Sequence, residues 1–407
     1  MPVNLISVPA VTAAARELMP PGALPDPAEA RALVHDLREA AETSTDLVLD
    51  AMRLAPAVED AARARLAAGE TRVVDRLGWV QANAETFASL LSGAQPGESG
   101  GARERGTAHG GVPTPGGTAG TGPSGSRGTG PEGSRGTVPQ GSRGTVPQGS
   151  RGPGMLRRLR DRSARTTASV ELGGALALVG SRVLGQFDPF AGEAGVLYLV
   201  APSVWEVEHA LDVPPRDFRL WVALHERTHH VQFAAAPWLA DHLRSRIDGL
   251  LNPLLGAEAG DEFLDSLRAL PDALREGESL LDAVVGPEQA AAVEEIGALM
   301  SLLEGHADVL MDTVGRKVIP RVGRIRRAFD ARRRSATGIR AIVSTLLGID
   351  EKIAQYARGA AFVRAVVRDR GHDGLAAVWE APELLPSAAE IAEPALWLAR
   401  VPRPGDA

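Results

Sequence analysis

The sequence predicts a mainly α-helical fold carrying a small β-sheet, and three observations lead there. Apolar residues make up 44% of the 407-residue chain but aromatics only 4%, so the core is built from Ala, Leu and Val, a mixture that favours helices over sheets. Apolar positions recur at helical spacing behind recognisable helix-start signals. Only Gly195–Val204 (GVLYLVAPSV) has the composition and the bounding Gly and Pro of a buried strand.

Taken in order, residues 25–91 read as helical. Asp26, Pro27 and Glu29 supply an N-cap, a first-turn proline and the acidic partner of a capping box. Leu33, Leu37, Leu47 and Met52 then follow at roughly helical spacing, and a second stretch carries Trp79, Phe87 and Leu90. From Ala94 to Gly154 the chain turns to Gly, Pro, Ser, Thr and Arg. Within it Gly125–Glu132, Gly133–Gln140 and Gly141–Gln148 repeat the pattern GSRGT-x-P-x. Such a segment cannot bury enough surface to offset its ordering entropy, which predicts a disordered insertion. Its arginines, Arg127, Arg135, Arg143 and Arg151, are sparse and have no aromatic neighbours for stacking on bases.

Beyond the insertion, Val170–Val183 is apolar and broken by Gly, and the strand follows. Pro214 and Pro215 then lead into a helix over Asp217–Phe233. Helical segments continue to the end, the last opened by a second capping box, Ser387 with Glu390. The predicted division is 1–93 as an N-terminal helical part, 94–154 as the insertion and 155–407 as the catalytic part.

Composition narrows the function. The chain has no cysteine, which excludes disulfides, Cys-ligated zinc, iron–sulfur clusters and a thiol nucleophile. Any metal must be held by His and carboxylates. A net charge of −7 and a pI near 5.8 give no overall case for nucleic acid or anionic membrane as partner. Met1–Ala10 lacks the basic and apolar regions of a signal peptide, and nowhere do about 18 apolar residues run together. A soluble cytoplasmic protein is the expectation. The run Arg316, Lys317, Arg321, Arg324, Arg326, Arg327, Arg332, Arg333 and Arg334 reads as a solvated helical face, with an anion-binding surface as the alternative. No phosphate-cradling glycine loop is recognisable.

The chemistry concentrates in His225-Glu226-Arg227-Thr228-His229. Residues four apart lie one above the other on a helix, so both imidazoles can reach one ion. Glu226 lies about 100° around the axis, where it can take a proton from the attacking water without ligating the metal. Chance would place this pattern in about one such chain per hundred. A catalytic zinc usually takes three protein ligands. Glu304 and Asp308 are again four apart, inside the apolar segment Ile296–Leu310 where unpaired carboxylates are costly. Glu304 is the expected third ligand, and Asp308 the expected acceptor for a ligand histidine's free ring N–H. His306 and Glu295 compete for the ligand role. Tyr356 is the candidate donor to a developing oxyanion, with His372 and His230 as rivals.

Glu-x-x-x-Asp downstream of His-Glu-x-x-His resembles the gluzincin arrangement of the thermolysin-like peptidases. The wider string from Phe218-Arg219-Leu220-Trp221 through His229-His230-Val231-Gln232-Phe233 resembles a narrower family of zincin-like hydrolases. That family is often labelled as associated with biosynthesis of the deazaflavin coenzyme. Gly185–Phe190 (GQFDPF), Lys352–Phe362 and Pro394-Ala395-Leu396-Trp397 are also similar to it. The resemblance implies a zincin-like metallopeptidase architecture around the His225–His229 helix. It does not extend to thermolysin's substrate pocket, because Glu304 lies about 75 positions beyond His229, far more than in that enzyme. The expected function is therefore a zinc-dependent hydrolase, a metallopeptidase or amide hydrolase using zinc-activated water with Glu226 as general base. The alternatives are a catalytically silent zincin-like scaffold and a basic, anion-binding helical protein whose His pair is accidental.

Deleting Pro96–Gly152 is expected to leave the fold intact, because a repetitive Gly/Pro segment contributes few native contacts. The shortened protein should melt cooperatively within a few degrees of the full chain. A large fall in Tm would show that the insertion packs against the rest.

Overall fold

A computed structural model of the chain describes residues 6–20, 22–93, 153–254, 287–334 and 349–403. Residues 1–96 with 161–407 group as one compact unit and 97–160 as another; the site lies in the first. The insertion predicted over 94–154 falls almost entirely outside the described residues.

The N-terminal helices are α1 (Val8–Leu18), α2 (Pro27–Met52) and α3 (Pro56–Ala68). The capping box at the start of α2 forms as expected: Asp26 accepts from the backbone N–H of Ala28 and Glu29 at 2.7 and 2.9 Å, while Glu29 accepts from the Asp26 N–H. The stretch read as continuously helical is broken by a strand, β1 (Glu70–Val74), before α4 (Arg76–Gly93). Helix α5 (Pro153–Gly180) leads to β2 (Gly185–Asp188) and β3 (Val196–Val200). The strand predicted to reach Val204 stops at Val200, because Pro202 opens the first turn of α6 (Ala201–Ala210).

The three strands form one sheet in the order β1-β3-β2, with β1 parallel and β2 antiparallel to β3. All five residues of β3 are buried, and the period-two alternation of a strand shows why. Val196, Tyr198 and Val200 face a cluster with Val11, Trp79, Val80 and Leu176 from α1, α4 and α5. Leu197 and Leu199 face the other way, onto Leu33 and Leu37 of α2 and Phe218 and Val222 of α7 (Pro215–Ala235). Helices therefore cover both faces, which is what a wholly apolar central strand requires.

The C-terminal part is helical: α8 (Leu239–Leu254), α9 (Pro287–Val318), α10 (Val322–Arg334), α11 (Ile349–Ala376), a short 3₁₀ turn at Ala377–Trp379, α12 (Ala388–Ala392) and α13 (Pro394–Arg400). The capping box predicted at Ser387 and Glu390 opens α12. Apart from α10, these helices share an apolar core with α2, α3 and the second half of α7, including Leu49, Leu224, Val231, Leu302, Met311, Phe362 and Trp397. Among the described residues, no helix is long and apolar enough to cross a membrane. The basic run is partly neutralised by acids: Arg324 pairs with Asp212 at 2.7 Å, and Arg326 with Asp308 at 2.6 Å and Asp312 at 3.1 Å. The side chains of Arg332, Arg333 and Arg334 lie outside the described residues.

Helices α9 and α11 cross at two glycines. A Cβ on Gly305 would strike the backbone of Gly359 and Ala360, and one on Gly359 would strike the carbonyl of Ser301. No rotamer change relieves a clash with backbone, so the helices would have to part, moving the turn that carries Glu304. Gly359→Ala is expected to destabilise by about 1–3 kcal/mol, a Tm fall of roughly 2–10 °C. Gly249→Ala in α8, where a Cβ meets nothing within 4 Å, is the control: it should be neutral or stabilise by about 0.5–1 kcal/mol. Equal melting of both variants and the wild type would show that the close approach is not needed.

Candidate metal centre

Two arginines anchor helix α7 to its neighbours. Near its start Arg219 forms a two-pronged pair with the buried Glu208 of α6, at 3.0 and 2.6 Å, and a third bond to Asp36 of α2 at 2.6 Å. In the middle Arg227, one of the two residues between Glu226 and His229, points away from the ligands. Its guanidinium donates to the Ala41 carbonyl of α2, to Thr71 Oγ1 of β1 and to His230 Nδ1. Burial lowers its pKa to about 10, still well above neutral, so Arg227 remains charged. Thr228 turns its hydroxyl back onto the Leu224 carbonyl at 2.8 Å. The spacer residues are thus structural.

The remaining stripe of α7 carries His225, Glu226 and His229, all partly exposed. The two imidazoles meet edge to face, with Nε2 atoms 3.4 Å apart. Glu304 of α9 completes the group: its Oε2 lies 3.7 Å from His225 Nε2, and its Oε1 lies 3.7 Å from His229 Nε2. These three residues bring their ligand atoms within 4.8 Å of one another. A tetrahedral zinc with bonds of about 2.0–2.1 Å sets its donor atoms about 3.3–3.5 Å apart, close to the spacing found here. Two imidazoles and one carboxylate are also zinc donors by chemistry. The residues therefore fit the ion.

Glu226 lies beside this triad and against the edge strand β2. A Cβ on Gly185 would come within 2.6 Å of Glu226 Cγ, so glycine leaves the room that the carboxylate occupies. Burial first, and the Glu304 carboxylate second, push the Glu226 carboxyl up to about 8; a cation at the triad would oppose both.

Other expected residues are placed elsewhere. The Asp308 carboxylate is held by Arg326 and Arg364, at 2.6 and 3.1 Å, rather than by His229. Nδ1 of His229 lies 3.0 Å from Gln232 Oε1 instead. Glu295 pairs with Arg246 at 2.8 Å and is not a ligand. His306 is buried behind the site: its Nδ1 meets Gln232 Nε2 at 3.0 Å, and its ring lies against Trp379. Burial drives its pKa down to about 3. His230 is likewise no site group, since it stacks on Phe187 with ring centres 4.6 Å apart and accepts from Arg227. Burial, with Arg53 next, lowers the pKa of His372. Tyr356 lies on α11, and its side chain is outside the described residues. Gln232 and Gly185 had no assigned role in the sequence. Gln232 stands three positions after His229, on the same helical face, which is the signal that could have identified it.

Against solved structures, the chain resembles the crystal structure of a presumed hydrolase with a novel fold from Chloroflexus aurantiacus. The two are 26% identical, with a TM-score of 0.58, over 98% of this chain and 100% of that one. No functionally curated protein matches. The model of one family, described as zincin-like metallopeptidases, matches residues 6–398, a span that contains every residue of the triad together with the sheet and the helices around it. The chain belongs to the zincin-like metallopeptidase family.

Proposed function

We propose that the protein is a zinc-dependent hydrolase cleaving peptide or amide bonds, with His225, His229 and Glu304 holding the metal and Glu226 as general base. The observation that carries this reading is the convergence of His225, His229 and Glu304 from two helices to tetrahedral spacing, with a second carboxylate beside them. Family membership and the hydrolase label of the Chloroflexus structure support it. When bound, zinc supplies a Lewis acid that acidifies water and polarises a substrate carbonyl. Glu226 accepts the proton of the attacking water and returns it to the leaving amine. Gly185 keeps the space in which that carboxylate swings between the two. Tyr356, on α11, is the proposed donor to the developing oxyanion. The substrate is a peptide or protein that reaches the triad from its exposed side.

Protein purified without added metal should contain about one zinc per chain by elemental analysis, and the His225→Ala, His229→Ala double variant should contain almost none. Unchanged stoichiometry in the double variant would remove the ligand assignment.

Glu226→Gln keeps size and hydrogen bonding but cannot accept a proton. Zinc content should survive, while cleavage of a broad peptide library should fall by about 10²–10⁴-fold, the usual share of general-base catalysis. Equal cleavage by wild type and variant would point to another base. Zinc bound with no turnover by either would favour a silent scaffold.

A further inference from the structure

Gln232 is fully buried, and a buried primary amide has two chemically different ends that must each find a partner. On one end, Nε2 lies 3.0 Å from the Leu303 carbonyl and 3.0 Å from His306 Nδ1. On the other, Oε1 lies 3.0 Å from His229 Nδ1. A backbone carbonyl can only accept. Turning the amide over would set two oxygens face to face at 3.0 Å and take the amide hydrogens away from Leu303 and His306, so the Leu303 carbonyl fixes which way Gln232 points.

The consequence runs one residue further. With an oxygen opposite it, His229 Nδ1 must carry the proton, and Nε2 then presents its lone pair to Glu304 and His225. With the amide reversed, Nδ1 would have to accept and the proton would move to Nε2, where it would block ligation. We infer that Gln232, oriented by the Leu303 carbonyl and His306, is the positioning residue that locks His229 into its metal-binding tautomer and ties α7 to the turn of α9 that carries Glu304.

The role rests on the zinc reading proposed above, but it is testable without metal. Leu303 immediately precedes Glu304, so the same amide that sets the tautomer of one ligand sets the height of another along its helix. His306 supplies the second acceptor from one turn further along α9 and is backed by Trp379, with ring centres 5.3 Å apart. This also gives a use to a buried histidine that ligates nothing.

The experiment is long-range ¹⁵N–¹H spectroscopy of histidine-labelled, chelator-treated protein at about pH 8, above the ordinary imidazole range. The His229 signals are assigned by their loss in His229→Gln. In the wild type, Nδ1 of His229 should carry a proton; an unprotonated Nδ1 would overturn the inference outright. In Gln232→Leu that protonation should no longer be fixed, and zinc affinity, measured by competition with a chromophoric chelator, should fall about 10–100-fold. Full zinc affinity in a folded Gln232→Leu protein would overturn it as well. His306→Phe, which removes one of the two acceptors, should lose less than Gln232→Leu; a greater loss would place the control elsewhere. Should Gln232→Leu not fold, the wild-type spectrum still decides. If the wild type binds no zinc, the hydrolase reading fails, and the tautomer measurement judges the role of Gln232 separately.

Discussion

The structure turns on one geometric demand: three side chains from two helices, about 75 residues apart in the chain, must bring their donor atoms within 4.8 Å of one another. Two of them share a turn of α7 and meet by helical periodicity alone. Bringing Glu304 to them is a tertiary problem, met by close packing at one end and a buried amide at the other. Gly305 and Gly359 let α9 and α11 approach to backbone contact, and Gln232 bonds α7 directly to the α9 backbone beside Glu304. Neither device is adjustable, which suits a site whose ligand spacing tolerates errors of only tenths of an ångström.

A helix that presents charge on one stripe must be anchored by its others. Beyond its apolar contacts, α7 is fixed through polar residues that do not serve the site: Arg219 to Glu208 and Asp36, and Arg227 to Ala41 and Thr71. These pairs are satisfied at several atoms at once, the condition under which buried charge is tolerated. The sheet contributes position more than area. Its edge strand brings Gly185 against Glu226, and β3, buried on both faces, keeps that edge from drifting.

Much of this was legible in the sequence because it depends on local spacing. The capping boxes at Asp26 and Ser387, the helix through His225 and the strand at Val196 are set by neighbours within a few residues, and each formed. Glu304 was legible for a different reason: a carboxylate in an apolar helix needs a partner. The misses share a cause. β1 (ETRVV) and β2 (GQFD) are short flanking strands with mixed polarity, and only pairing with β3 makes them strands. Asp308 had the right spacing from Glu304, but its arginine partners come from α10 and α11, and no periodicity reveals which distant cation will claim an acid. Gln232 sat in plain view three residues after a ligand, yet its value comes from a carbonyl of another helix.

The placement of Asp308 bears on the charge of the proposed metal centre. It stands one turn beyond Glu304 on α9, and left alone it would add a second negative charge beside the donor set. Arg326 and Arg364 hold it instead, and both also pair with Asp312. The proposed donor set then remains two imidazoles and one carboxylate, which would leave a bound dication with net charge +1. That residual charge is what makes a bound zinc acidify water; each further carboxylate would reduce it. Arg326 of the basic run and Arg364 of α11 therefore act within the fold. In the proposed centre they would keep a second acid from competing one turn away from Glu304.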